Sequence, residues 1–141
     1  MLESINLQSN VAVFAQIENE VRFAIASGQL GAGDKLPTVR AVAEQLDINP
    51  NTVAKAYRDL EIMGLVYSRR GMGIFICDNV EAKCQSECYS EIIGKIHEVV
   101  AEAKAAGMRD TDVKRITKKC FASDTTPYET PPKAIMALLK K

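Results

Sequence analysis

From about Val13 to Ser27, hydrophobic residues recur at helical spacing. Phe14, Ile17, Val21, Ala24 and Ile25 share one face, and Glu18, Glu20 and Arg22 take the wet side, which predicts an amphipathic helix. Gly28 is placed to end it in a left-handed conformation. Gly31-Ala32-Gly33-Asp34 reads as a turn. Lys35-Leu36-Pro37 reads as extended, because Pro37 disfavours helix in the residue before it. Thr38 is the cap of a second helix reaching Leu46, with Val39, Val42, Ala43 and Leu46 as its apolar stripe. Asp47-Ile48-Asn49 makes a tight turn. Asn49 then caps a third helix whose first position is Pro50, where a missing N–H costs nothing. Val53, Ala56, Tyr57 and Leu60 supply its buried stripe, and Gly64 stops it.

After Gly64 the pattern changes to short β-rich runs. Leu65–Ser68 and Ile74–Cys77 flank Arg69-Arg70-Gly71-Met72-Gly73, a glycine-bearing tip, and predict a hairpin. The chain changes character again around Asn79–Gln85, where a module boundary is expected. A longer helix is predicted from about Ser86 to Ala106 on Ile92, Ile96, Val99, Val100 and Ala103, ending at Gly107. Asp110 or Thr111 caps a further helix carrying Val113, Ile116, Cys120 and Phe121. Ser123–Pro132 reads as a linker, and Ala134–Lys141 as a last amphipathic turn or two through Ile135, Leu138 and Leu139. Helix, extended piece, helix, turn, helix, hairpin is the order of a winged helix-turn-helix. The expected fold class is therefore α+β, mainly α: a winged helix-turn-helix over residues 1–78, then a short two-helix dimerisation segment over 79–141. The tail's apolar faces are too small to form a core alone. Ile92, Ile96, Val99, Val100, Ala103, Val113, Ile116 and Phe121 are thus expected to pack against a second copy of the chain.

A helix fits the major groove of double-stranded DNA, with its N-terminal residues reaching base edges. The third helix has the inventory for this. Asn49, Asn51 and Thr52 bring short hydrogen-bonding side chains to its first turn, whose free N–H groups attract phosphate. Lys55 and Arg58 follow on later turns, suited to the flanking backbone. Thr38 and Arg40 stand at the start of the second helix, which crosses the sugar-phosphate backbone in this motif. An arginine there clamps phosphate or takes a guanine edge bidentately. At the hairpin tip, Arg69 and Arg70 accompany Gly71 and Gly73; the glycines let the backbone come close, and an arginine there enters the minor groove.

Composition alters this picture little. The chain has 141 residues, 47% hydrophobic and 26% charged, with 18 basic and 18 acidic side chains and no formal net charge. The basic surface is therefore local, along the stretch holding Lys35, Arg40, Lys55, Arg58, Arg69 and Arg70. No apolar run is long enough for a bilayer, and Met1–Ile5 lacks a basic stretch leading into an apolar core. No membrane association is expected, and a cytoplasmic location is. Cys77, Cys84, Cys88 and Cys120 form no Cys-x-x-Cys pair, so ordinary reduced thiols are expected, with no metal and no cofactor. No nucleophile elbow, phosphate loop or metal motif supports an enzyme.

The stretch Gly28-Gln29-Leu30 through Gly33-Asp34-Lys35-Leu36-Pro37-Thr38-Val39-Arg40 resembles the opening of the GntR family of bacterial transcription regulators. Ala43 through Val53, Ala56-Tyr57-Arg58-Asp59-Leu60-Glu61, Gly64-Leu65-Val66 and Arg69 through Gly73 continue the match. The residues after Asp78 are too few for the large ligand-binding or aminotransferase-like domain usual in that family, and a short two-helix tail resembles its YtrA subfamily. The resemblance implies a dimeric repressor, often of transporter operons. It implies that Arg40 is the DNA-contacting arginine of the second helix and that Arg70-Gly71 is the wing tip. Pro50 and Ala54 fall where some relatives carry base-reading basic residues, and Asp47 replaces a glycine common in the turn. A sequence-specific homodimeric repressor on an inverted-repeat operator is the expectation, with any small-molecule effector unassigned. Two other readings stand beside it: a thiol- or metal-responsive regulator switched at Cys84, Cys88 and Cys120, and a winged helix that binds protein.

Overall fold

The computed structural model describes Leu2 and residues 5–122. Its elements are α1 (Val13–Ala26), α2 (Val39–Leu46), α3 (Pro50–Ile62), β1 (Val66–Arg69), β2 (Gly73–Ile76), α4 (Glu81–Ala105) and α5 (Asp110–Ala122). The chain divides into two compact units, Met1–Cys88 and Tyr89–Lys141. The expected linker at 123–132 and the last helical turns after it lie outside the described residues.

In the first unit, α1 and α2 both pack on α3. Ile17, Val21 and Ile25 of α1 meet Val42 and Ala43 of α2 and Val53, Ala56, Tyr57 and Leu60 of α3 in one buried cluster. The predicted caps are present. The Thr38 hydroxyl oxygen accepts the Ala41 N–H at 3.1 Å, and the Asn49 side chain accepts the Asn51 N–H at 2.8 Å. Asp47 takes the left-handed conformation, φ 52°, that a tight turn between α2 and α3 requires, and Asp tolerates it well.

The hairpin pairs Val66 with Ile76, Tyr67 with Phe75, Ser68 with Ile74 and Arg69 with Gly73. The extended 33–36 segment adds a third run along β2. Gly33 N–H donates to Ile76 O at 2.9 Å, Ile76 N–H to Asp34 O at 2.9 Å, and Leu36 N–H to Ile74 O at 2.8 Å. Both strands lie one residue from the expected bounds; β1 starts at Val66 because Leu65 N–H closes α3 by donating to Leu60 O at 3.1 Å.

Two features differ from the sequence expectation. The fourth helix begins at Glu81, inside the stretch where a module boundary is expected, rather than at Ser86. Asn79 turns the chain with φ 57°, and Cys84 and Cys88 are then buried in the first unit's core. The Cys84 thiol donates to Arg22 O at 3.1 Å. A free cysteine behaves as a small hydrophobe, so a Cys pair four residues apart is this helix's docking stripe. The second feature is an N-terminal arm. Leu2 joins the core. The buried Gln16 amide accepts Asn6 N–H at 2.7 Å and donates to Asn6 O at 2.8 Å and Val11 O at 2.9 Å.

In the second unit, none of the residues 89–122 is buried. Ile92, Ile93, Ile96, Val99 and Phe121 are exposed apolar side chains. The start of α5 is held by Asp112, not by the expected Asp110 or Thr111: its carboxylate accepts Arg109 N–H at 3.3 Å and Arg109 Nε–H at 3.2 Å. A groove of about 490 Å³ is lined by Ile96, Val100, Val113 and Phe121, with Lys104, Lys114 and Lys118 among its polar wall.

Gln16→Ala leaves the arm's Asn6 and Val11 groups without their partner. It is expected to cost about 2 kcal/mol and to lower the melting temperature. Amide exchange at Asn6 should quicken well before global unfolding, and unchanged exchange there would show that the amide does not hold the arm.

Candidate nucleic-acid interface

The buried stripe of α3 leaves Asn51, Lys55 and Arg58 in a row on its opposite, exposed side, as the i, i+3, i+4 geometry of a helix dictates. Ahead of that row lies the capped N-terminus of α3, where Pro50 removes one donor and Asn49 satisfies another. Thr38 and Asn49 use a side-chain oxygen as helix cap, yet each keeps donor capacity for a further partner. Thr52 is half-buried, and its N–H donates to Asn49 O at 3.0 Å.

Arg40 extends into solvent, with its side chain 89% exposed and an ion pair to Glu44 at 3.1 Å. Such an exposed pair contributes at most about 1 kcal/mol, so the guanidinium is readily drawn to a stronger anion. Arg69 and Arg70 are exposed and make no ion pair among the described residues. The tip turns where Met72 N–H donates to Arg69 O at 2.9 Å. Glu61 anchors the wing to α3 by accepting Ser68 N–H at 3.1 Å.

Lys55 is engaged on the α1 side of its helix. Its ammonium bonds Asp59 at 2.9 Å and sits 4.3 Å from the centre of the Phe14 ring. The α1–α3 contact also holds a carboxyl pair. Burial first, then a hydrogen bond with Asp59 and its charge, push Glu18 from 4.5 up to about 7, against the pull of Lys55 and Arg22. Hydrogen bonds with Lys55 and with Glu18 hold Asp59 below its ordinary value.

Tyr57 ties α3 to the segment ahead of α2, a link that periodicity alone does not announce. It sits on the buried stripe of α3, and its hydroxyl donates to Pro37 O at 2.7 Å. Burial pushes the phenol up to about 12, so it stays a donor. Lys35 belongs to the local basic surface expected from the sequence, but its packing is not foreseen there. Its side chain lies over Gly73 in the wing, a contact that no local pattern announces.

The cysteines sit apart from these groups. Burial first, and Cys88 next, push the Cys84 thiol up to about 12, which keeps it from the thiolate form that metal binding and oxidation need. Cys88 is buried too, and Cys120 is exposed in the second unit. Among the described residues, no cluster of three His, Cys, Asp or Glu side chains is placed to hold a metal ion, and no helix is long and apolar enough to cross a membrane.

Residues 14–76 match the sequence profile of the family described as bacterial regulatory proteins, gntR family. The chain is 39% identical over 74 residues to the HTH-type transcriptional regulator YhcF of Bacillus subtilis (strain 168), a match covering 52% of this chain and 61% of that protein. It is 32% identical over 104 residues to the HTH-type transcriptional repressor YtrA of the same organism, covering 74% of this chain and 80% of that one. Among solved structures, a transcriptional regulator from Oenococcus oeni superposes with a TM-score of 0.60 at 30% identity, over 84% of this chain and 98% of that one.

An acid whose pKa is raised by folding stabilises the fold below its unfolded value and loses that contribution as pH climbs through the folded value. Stability is therefore expected to fall between about 4.5 and about 7 as Glu18 gives up its proton. Glu18→Gln should flatten that fall and stabilise the protein above the interval by on the order of 1 kcal/mol, since the pair is partly screened by solvent. Thermal melts across the interval check this, and an unchanged slope in the variant would show that Glu18 is not the titrating group.

Proposed function

The chain belongs to the GntR family of bacterial regulatory proteins, in the group of the YtrA repressor, and we propose that it acts as a homodimeric, cytoplasmic repressor reading an inverted-repeat operator. It is a transcriptional regulator with a DNA-binding domain, not an enzyme. The observation that best supports the finer reading is α3. Its inner stripe is buried, its capped first turn is open, and Asn51, Lys55 and Arg58 share its outer side. In this proposal the third helix enters the major groove, Arg40 meets the backbone or a guanine edge, and Arg69, Arg70 and Gly71 approach the minor groove. Residues 1–78 read DNA, closed at the base by the start of α4. The exposed apolar side chains of α4 and α5 pair two copies, so that two winged helices face two half-sites. Repression follows the named activity of the YtrA relative.

Selection of bound fragments from genomic DNA at physiological salt tests the reading. Enrichment of a short inverted repeat supports it, and salt-independent or absent enrichment contradicts it. Arg40→Ala should lower affinity for the enriched site by at least about tenfold while the melting temperature holds, because Arg40 is exposed and its ion pair is with an exposed Glu44. Full retention of affinity would remove Arg40 from the interface. Ile96→Asp should convert the dimer to a monomer in sedimentation while leaving the first unit folded, since Ile96 is exposed and lies in the second unit. A dimer that survives this change pairs through another surface.

A further inference from the structure

The 33–36 segment beside the wing carries Lys35, a member of the local basic surface without an assigned DNA contact. Residues directly opposite in an antiparallel ladder point to the same face. Arg69 is opposite Gly73, Tyr67 is opposite Phe75, and Lys35 bridges Phe75 from the far side of β2. Lys35, Phe75, Tyr67, Gly73 and Arg69 therefore share one face of the small sheet. Tyr67 and Phe75 stack there, with ring centres 5.8 Å apart. Gly73 lies between the two cations. A β-carbon at Gly73 would meet Lys35 Cε at 2.7 Å and Nζ at 3.5 Å, so the lysine chain rests in the space that a side chain would fill. Sequence reasoning gives Gly73 the task of bringing the wing backbone close to DNA. The structure gives it another, that of seating Lys35.

Three further facts bear on what the seated ammonium can do. Lys35 is exposed and makes no ion pair among the described residues. The adjacent carboxylate is engaged, since Asp34 accepts Gly31 N–H at 2.8 Å. In the chain, Lys35 immediately precedes Leu36 and Pro37, which lead into the Thr38 cap of α2. It thus stands between the two parts assigned to DNA: the start of α2 with Arg40, and the wing with Arg69 and Arg70.

We infer that Lys35, seated over Gly73, is a DNA-backbone contact that joins Arg69 and Arg70 in the wing's cationic surface. The inference rests on the DNA-binding reading above and assigns one further residue within it. A lysine ammonium is a compact point charge with three donors, suited to phosphate rather than to a base edge. Its contact orients the wing and adds affinity without reading sequence. A chain already laid against Gly73 also has less freedom to lose on binding than an open surface lysine. Gly73 is then a positioning residue for Lys35.

The test compares the full-length protein with Lys35→Gln, Lys35→Arg and Lys83→Gln on a fluorescent mixed-sequence duplex titrated over a range of salt concentrations. Lys83 lies on α4, where its nearest acid is Glu87 at 4.0 Å, and reports the effect of simply removing a positive charge. Lys35→Gln should reduce the slope of log affinity against log salt by about one per bound protomer, and affinity near 0.1 M salt by about eightfold, the value of one phosphate contact. Lys35→Arg should keep the slope, Lys83→Gln should keep it too, and melting temperatures should agree throughout. A Lys35→Gln slope equal to that of the unaltered protein, or a Lys83→Gln loss as large as that of Lys35→Gln, overturns the contact while leaving the DNA-binding reading intact. Salt-independent or absent binding by the unaltered protein overturns both.

Discussion

The inner stripe of α3 is gripped from two sides, by α1 and by α2, and the same helix is tied to the strand ahead of α2 by the Tyr57 hydroxyl on Pro37 O at 2.7 Å. In the proposed reading, α3 enters the groove only if its outer side is held at a fixed attitude to the neighbouring elements. Here that attitude follows from burial. Val53, Ala56, Tyr57 and Leu60 are removed from water, which leaves Asn51, Lys55 and Arg58 no place but the outside. The hydrogen bond to Pro37 then sets where α2 begins, and with it the position of Arg40. A buried donor held by one carbonyl is a strict constraint, because losing the partner would leave a desolvated group unpaired.

The wing depends on the same core by another route. Ile76 and Val66 face inward, and the 33–36 segment completes a small three-stranded arrangement on the free edge of β2. This edge pairing brings Lys35 to the outer face beside Gly73. The Asp34 side chain is bonded to the turn at Gly31 and makes no ion pair with Lys35 among the described residues. The acids near α3 are placed with similar effect: Asp59 holds Lys55 against Phe14, while Glu61 holds the wing strand. Net charge near zero for the chain is thus compatible with a surface whose arginines are exposed.

The second unit follows a different logic. Its two helices have apolar side chains but no buried residue among 89–122, so packing among the described residues does not satisfy them. Aliphatic and aromatic surface left in water is a standing cost, which supports a role in association. The first turns of α4 differ from the rest because Cys84 and Cys88 are drawn into the first unit's core.

Most of what depends on neighbours a few residues apart could be read along the chain, although the start of α5 is held by Asp112 and not by Asp110 or Thr111. The faces of α1, α2 and α3, the caps at Thr38 and Asn49, the left-handed Asp47 and the hairpin around Gly71 were legible, because helix and turn preferences act locally. The candidate DNA residues were legible for the same reason, since they are what remains outside once the apolar stripes are placed inside. Contacts between distant positions came from packing: Gln16 with the arm, Glu18 with Asp59, Tyr57 with Pro37, Cys84 with Arg22 O, and Lys35 over Gly73. None of these pairs has a periodic signature. Cys84 and Cys88 show why: their type suggests chemistry, and only the burial that comes from packing an entire core shows them acting as hydrophobes, with the start of α4 moved accordingly.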